Sequence, residues 1–443
     1  MRPTASAAAA LGLLVGLTVS HWLLAHPRAG EQAAEPVATG EDLRLPPWSE
    51  GVPPWARSVR IPKGDQPLRH APDGQAERRG SAAREARLPL FGARKGPGCG
   101  GPWLQVGAAA WVCSDATTYS GAAPILPSAK LITAAPDGLP FRYYFAGRDG
   151  SLAYHRIEEV DVGEPAMTLE PGFAVAVVEE RNLGRERYGR TNRGLWVPMR
   201  DLGPARSFHF EGSEVTDTPN GVVPFAWVVE DDALLYERRG QLFAPTASRA
   251  SRFDRVGFLE EANVFGARYV RIDDRHWIRH KQLAHPTLLP PPEESEIAHG
   301  ARWIDIELES QTLVAYEGER PVFATIVSTG KGKTKGHPFE TPKGVHRIWV
   351  KLLATTMDNL ENENANRYWR IEDVPYVQFF HKGVGLHAAF WHRSFGHVRS
   401  HGCVNLAPRD AARLFAWTGP EIPAGWTAAL PTAYDRGTIV RVR

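Results

Sequence analysis

From about residue 57 onward the chain is dominated by short runs in which apolar and polar positions alternate, each closed by Gly, Pro, Asn or Asp. Trp103-Leu104-Gln105-Val106, Phe173-Ala174-Val175-Ala176-Val177-Val178 and Tyr269-Val270-Arg271-Ile272 are examples. A period of two puts every second side chain on one face of a strand, and long helical periodicity is scarce, so residues 57–288 read as all-β. The pattern continues further on with Trp303-Ile304-Asp305-Ile306-Glu307-Leu308, Thr312-Leu313-Val314-Ala315-Tyr316 and Val322 to Ser328, separated by turn residues such as Glu317-Gly318-Glu319-Arg320. This predicts a β-meander with hairpins. Ala407 to Trp417, with Pro408 near its start, is the best candidate helix. Gly437 to Val442 reads as a closing strand. Ala354 to Arg370 carries Asn359, Asn362, Asn364 and Asn366 among acidic residues and lacks apolar periodicity. It reads as a solvated loop, with Met357-Asp358-Asn359-Leu360 as a candidate lid. The expected fold class is mainly β with a few short helices.

Punctuation divides the chain into five parts. Arg2 precedes an apolar stretch from Ala7 to Ala25, so residues 1–25 read as a signal peptide or membrane anchor. Residues 26–56, rich in Ala, Pro, Gly and Glu, read as a flexible tether. The all-β region 57–288 follows. Leu288-Leu289-Pro290-Pro291-Pro292 opens a stiff linker over 289–301, because consecutive prolines cannot continue a sheet interior. Residues 302–443 form the last unit. A weak repeat runs through the β region: Trp111-Val112, Trp196-Val197 and Trp277-Ile278 are spaced 196 − 111 = 85 and 277 − 196 = 81. Closing strands of this form resemble bacterial SH3-like modules; one irregular all-β domain with Trp in its core is the alternative.

Composition changes little. The 443 residues are 43% hydrophobic and 23% charged, and 52 Lys+Arg against 50 Asp+Glu leave a charge of +2. That balance argues against nucleic acid as a partner. The cysteines are more telling, because there are only three: Cys99, Cys113 and Cys403. In an exported chain an odd count leaves one thiol over. A disulfide from Cys99 to Cys113 would close a loop of about 15 residues, worth about 3 kcal/mol in the chain-entropy model. Two ordinary buried thiols are the alternative.

Cys403 lies in Ser400-His401-Gly402-Cys403-Val404-Asn405, with His387 sixteen positions upstream. A thiol needs a base to become a strong nucleophile, and an imidazole is the usual agent. The N–H groups of Gly402 and Cys403 are candidate oxyanion donors. An imidazolium at His387 would make Cys403 more readily ionised than a free thiol. Trp391, Phe390 and Tyr376 are candidates for the walls of a cleft, although aromatic residues fill cores as readily.

The segment resembles the signature of the L,D-transpeptidase catalytic domain, the YkuD domain. The resemblance rests on Gly385-Leu386-His387, Phe390-Trp391-His392, Phe395-Gly396 and Ser400 to Leu406, with Ser328-Thr329-Gly330 and Thr341-Pro342-Lys343-Gly344 upstream. It covers residues 302–443 and implies a YkuD-type β-sandwich or barrel-like domain. It also implies Cys403 as nucleophile, His387 as base and His401 as a residue shaping the site. Ser400 and Asn405 would secure the motif. The carbonyl of residue 388 would orient the imidazole, and where relatives carry Gly or Ser this chain has Ala388. Arg399, where relatives often carry an apolar residue, reads either as a solvated loop charge or as a contact to a substrate carboxylate. The implied reaction is attack on the amide before the terminal D-Ala of a peptidoglycan stem tetrapeptide. The acyl group then passes to a stem amine (a 3→3 cross-link), to water, or to a lipoprotein lysine. No metal or cofactor is required, and the protein would work outside the cytoplasm.

Two other readings stand beside it. His381, His387, His392, His397, His401 and Cys403 crowd one stretch and would suit a zinc-dependent hydrolase. A non-enzymatic wall-binding protein with a structural cysteine is the other.

Overall fold

The computed structural model describes residues 45–46, 49, 51–125, 136–160, 162–206, 209–293, 300–334, 337–360 and 368–443. The stretch read as a signal or anchor, 1–25, lies outside the described residues, as do most of the tether and 294–299 of the linker. Among the described residues no helix is long and apolar enough to cross a membrane. The protein is mainly β, and the α-helix that is described, Pro408–Trp417, falls where the apolar period placed it. It starts at Pro408, whose fixed φ suits a first helical turn.

The repeat in the β region marks a repeated structure. In 58–120 the strand Ser58–Arg60 lies between Arg87–Pro89 and Thr118–Ser120. A second sheet runs Arg78–Ala82, Gln66–Arg69, Ala110–Cys113, Trp103–Gly107, Gly92–Arg94. Residues 225–284 follow the same order strand for strand: Phe225–Val228 lies between Arg255–Gly257 and Leu283–Ala284. The companion sheet runs Leu242–Ala250, Ala233–Arg239, His276–Arg279, Ala267–Arg271, Glu260–Val264. Residues 142–204 end in the same way. Each of Trp111, Trp196 and Trp277 sits on a strand that runs into a single 3₁₀ turn and then a short strand. The residues entering the turn, Cys113, Pro198 and Arg279, share φ/ψ near −68°/132°, −61°/124° and −68°/131°. The tryptophans are buried at 8%, 7% and 3% exposure, as large rings usually are. Trp196 clusters with Tyr154 and Tyr188, and Trp277 with Tyr236 and Tyr269. Cys99 and Cys113 are joined in a disulfide.

In the C-terminal part, Arg302–Glu307, Thr312–Glu317 and Arg320–Ile326 form the expected meander. The closing strand Ile439–Val442 pairs in parallel with Arg302–Glu307, and Gly344–Arg347 completes that edge. A second sheet is built on the hairpin of Val350–Asp358 and Arg370–His381, which extends through Val384–Ala388 to Val404–Leu406. Ile304, Ile306, Leu313, Leu386, Val404 and Leu414 fill the layer between the sheets and the helix. On the other face of the first sheet Trp303 stacks on Tyr316, rings 4.1 Å apart, in a core shared with Phe225 and Trp227 of the third module.

Strand pairing crosses from the modules into this part. Trp426–Ala429 joins Arg78–Ala82 to Val350–Asp358. Ala174 pairs in parallel with Ile371. One local expectation is corrected: residues 354–358, read as loop, are the end of a strand. None of the five is fully buried, and a bulge between Thr355 and Met357 breaks the alternation, which hid the period.

Candidate active site

Two adjacent parallel strands carry the chemistry. Val384–Ala388 pairs with Val404–Leu406, matching His387 to Asn405, so Cys403 enters the second strand beside the first. His387 and Cys403 both line a cavity of about 410 Å³. His387 is 2% exposed, and its Nδ1 lies 3.0 Å from the Ala388 carbonyl. Nδ1–H therefore donates to that oxygen, which leaves Nε2 as the proton acceptor. Ala388 does this from an ordinary strand, with no positive φ required. Trp391 stacks on the His387 ring at 5.7 Å.

The cysteine loop is held by hydrogen bonds on every side. The Ser400 hydroxyl donates to the Cys403 carbonyl and accepts the Gly402 N–H at 3.0 Å. Gly402, at φ +122°, adopts a backbone that favours glycine. The Thr341 hydroxyl donates to the Gly402 carbonyl at 2.7 Å and accepts the Gly330 N–H at 3.0 Å. The Ser400 N–H donates to the Thr329 carbonyl, and Ser328 and Asn405 exchange backbone hydrogen bonds at 2.9 and 3.0 Å. Gln311 in turn holds Thr329 through both ends of its amide. Asn405 meets His392 Nε2 at 2.7 Å, while His392 Nδ1 accepts the Ser394 N–H at 3.1 Å.

Two expectations are corrected here. The Gly402 N–H is occupied by Ser400, so of the two expected oxyanion donors the Cys403 N–H is the one left without an acceptor among the described residues. The cysteine–histidine pair is neutral at rest. Burial pushes the Cys403 thiol up, partly offset by a hydrogen bond from the Gly385 backbone. Burial likewise lowers His387 to about 4, against a smaller upward pull from the Ala388 carbonyl. Desolvation penalises both charged forms, which spacing alone does not reveal.

Of the aromatic candidates only Trp391 lines the cavity. Phe390 is 5% exposed and stacks on Tyr143 at 4.0 Å. Tyr376 is 6% exposed, and its hydroxyl donates to the Gly138 carbonyl at 3.0 Å. Both belong to the core, as large apolar rings usually do. Arg399 reaches the cavity from an exposed position, joined by Lys331, which the sequence reading missed. His401 lines it too, its ring stacked on Trp369 at 6.1 Å and edge-on to Phe339 at 4.5 Å. Burial, then Lys331, lowers the His401 pKa. Met357, from the candidate lid, lines the cavity, and so does Tyr368, which was missed because it stands in the stretch without apolar period.

The histidines do not gather into a metal site. His387 and His392 spend ring nitrogens on the backbone and on Asn405, His397 Nε2 donates to the Val229 carbonyl, and His381 packs against His346. Among the described residues the one group with ligand atoms close enough is Cys99, Cys113 and Asp115, whose thiols are spent in the disulfide.

Residues 301–442 match the family model of the L,D-transpeptidase catalytic domain, YkuD. The C-terminal segment is a YkuD domain. Solved structures similar to the chain include a point variant of the Enterococcus faecium L,D-transpeptidase, at 24% identity over 32% of this chain and 50% of that one, TM-score 0.25. An L,D-transpeptidase from Stackebrandtia nassauensis is 28% identical over 32% of this chain and 55% of that one, TM-score 0.22. One from Mycobacterium smegmatis is 14% identical over 61% and 99%, TM-score 0.24. The chain thus spans about half the length of the E. faecium and S. nassauensis proteins. No curated protein matches it. Residues 57–288 lie outside the YkuD match.

Proposed function

We propose that the protein is a peptidoglycan L,D-transpeptidase that works outside the cytoplasm with Cys403 as its nucleophile. The observation that carries this reading is the pairing of Val384–Ala388 with Val404–Leu406, which sets a half-buried thiol and an oriented imidazole in one cavity inside a matched YkuD domain.

The chemistry follows from the neutral pair. His387 Nε2 takes the thiol proton as Sγ attacks the carbonyl before the terminal D-Ala of a stem tetrapeptide, so charge builds up only with substrate present. The Cys403 N–H faces the developing oxyanion. The imidazolium gives its proton to the departing D-Ala amine, leaving a thioester on Cys403. An amine from a second stem, or water, then releases the acyl group and regenerates the thiol. Lys331 and Arg399, exposed at the rim, suit a carboxylate on the donor. The three β modules are SH3-like, and residues 1–25 direct export or anchoring.

Incubation with purified muropeptides, resolved by mass spectrometry, tests the proposal. A cross-linked dimer or a trimmed tripeptide is expected, absent with Cys403→Ala. Product formation that survives that substitution overturns it.

A further inference from the structure

The cavity around Cys403 is not enclosed by the YkuD domain alone. Phe145 and Gly172, both from the module at 142–204, line it together with Met357, Ile371 and Trp391. This module is fixed against the YkuD domain by buried contacts. The Tyr143 hydroxyl donates to the Asp373 carbonyl at 2.6 Å, and its ring stacks on Phe390 at 4.0 Å. Phe145 packs against the same Phe390 at 6.1 Å, and Phe390 meets Trp391 edge-on at 5.1 Å. Trp391 in turn stacks on His387. A continuous train of rings therefore joins the module to the base.

Gly172 reaches the cavity through a turn built for it. In Glu170-Pro171-Gly172-Phe173 the Phe173 N–H donates to the Glu170 carbonyl at 2.9 Å, and Gly172 has φ +85°. Pro at the second position and Gly at the third are what a type II turn requires. The Gly172 N–H donates to the Ala146 carbonyl at 3.0 Å, tying the turn to the strand that carries Phe145. One wall of the cavity is thus apolar, from Phe145, Met357, Ile371 and Trp391, while Lys331 and Arg399 stand exposed at its rim.

We infer that the module at 142–204 is part of the substrate site, and that Phe145 is a specificity-determining residue for the acyl donor. The donor it suits is an anionic peptide with small apolar side chains: carboxylate toward Lys331 and Arg399, methyl groups and backbone against Phe145. This deepens the proposed activity and rests on it.

The test uses the full chain and a purified stem tetrapeptide as donor. Phe145→Ala should raise KM for the donor roughly 10-fold, the loss expected when an apolar ring no longer covers bound ligand, with kcat within about 3-fold. Alkylation of Cys403 by iodoacetamide, which is too small to need that wall, should keep its rate. Phe145→Leu, which retains packing against Phe390, should raise KM about 3-fold and covers the case in which the alanine variant does not fold. Val178→Ser, an exposed change in the same module, should leave KM unchanged. Unaltered KM in a folded Phe145 variant of an active enzyme overturns the inference alone. A wild-type protein inactive on every stem-peptide donor overturns the activity, and the inference with it.

Discussion

Thr341 offers the sharpest test of how the cysteine loop is held. Its side chain is fully buried, and its hydroxyl serves the Gly402 carbonyl at 2.7 Å and the Gly330 N–H at 3.0 Å. Both partners are themselves buried. Thr341→Val keeps the shape and removes the hydroxyl, so neither partner can turn to water instead. A buried polar group left unpaired costs about 1–3 kcal/mol, so the pair predicts a loss of about 2–4 kcal/mol. Relaxation would move the Gly402–Cys403 peptide, and misplacing a reacting group by about 1 Å can cost on the order of 100-fold in rate. The assay is urea denaturation alongside kcat/KM on a stem tetrapeptide. Thr341→Ser, which retains the hydroxyl, should recover most of both. A loss below about 0.5 kcal/mol with unchanged kcat/KM in the valine variant would refute the reasoning.

Other expectations concern titration and covalent links. Because burial holds His387 near 4, the acid limb of kcat/KM should fall near that pH rather than near 6.5. Alkylation of Cys403 in the free enzyme should rise only above the ordinary thiol range, and a thiol reacting fast at pH 6 would contradict the neutral pair. His387 should also add to stability at pH values above 6.5, an increment lost as pH falls from 6.5 through about 4 and absent in His387→Gln. Lys351 is 2% exposed, donates to the Phe415 and Thr418 carbonyls, and is lowered by burial to about 7. The unfolded chain stays protonated to about 10.5, so wild-type stability should grow by about 2–3 kcal/mol between pH 7 and pH 9 relative to Lys351→Met. Equal pH dependence in the two proteins would contradict that. Replacing Cys99 and Cys113 by Ala should cost about 3 kcal/mol of stability, read by thermal unfolding, while leaving the Cys403 alkylation rate unchanged.

The motif around Cys403 was legible because its residues are close in sequence: His387 and Asn405 pair across two adjacent strands, and Ser400 holds the turn that leads into the second. The meander from Trp303 and the helix from Pro408 were legible through their periods, and Trp111, Trp196 and Trp277 marked a repeated strand, 3₁₀ turn and short strand because each sits on the strand that enters the turn. What stayed hidden depends on distant contacts. Phe390 and Tyr376 are core because Tyr143 and Gly138 reach them from more than 200 residues away. The Gly402 N–H is taken by a hydroxyl two residues back, a detail of turn geometry rather than of sequence. The polarity of the resting pair is set by the enclosure of Cys403 and His387, which no spacing reports.

The central claim is that Cys403 carries the acyl group. Whole-protein mass spectrometry of the enzyme mixed with a stem tetrapeptide, quenched in acid, tests this most directly. The account predicts an adduct equal to the tetrapeptide less D-Ala, mapped to the peptide bearing Cys403, released by hydroxylamine and absent in Cys403→Ala. Turnover without any such adduct, abolished by EDTA and restored by zinc, would contradict it.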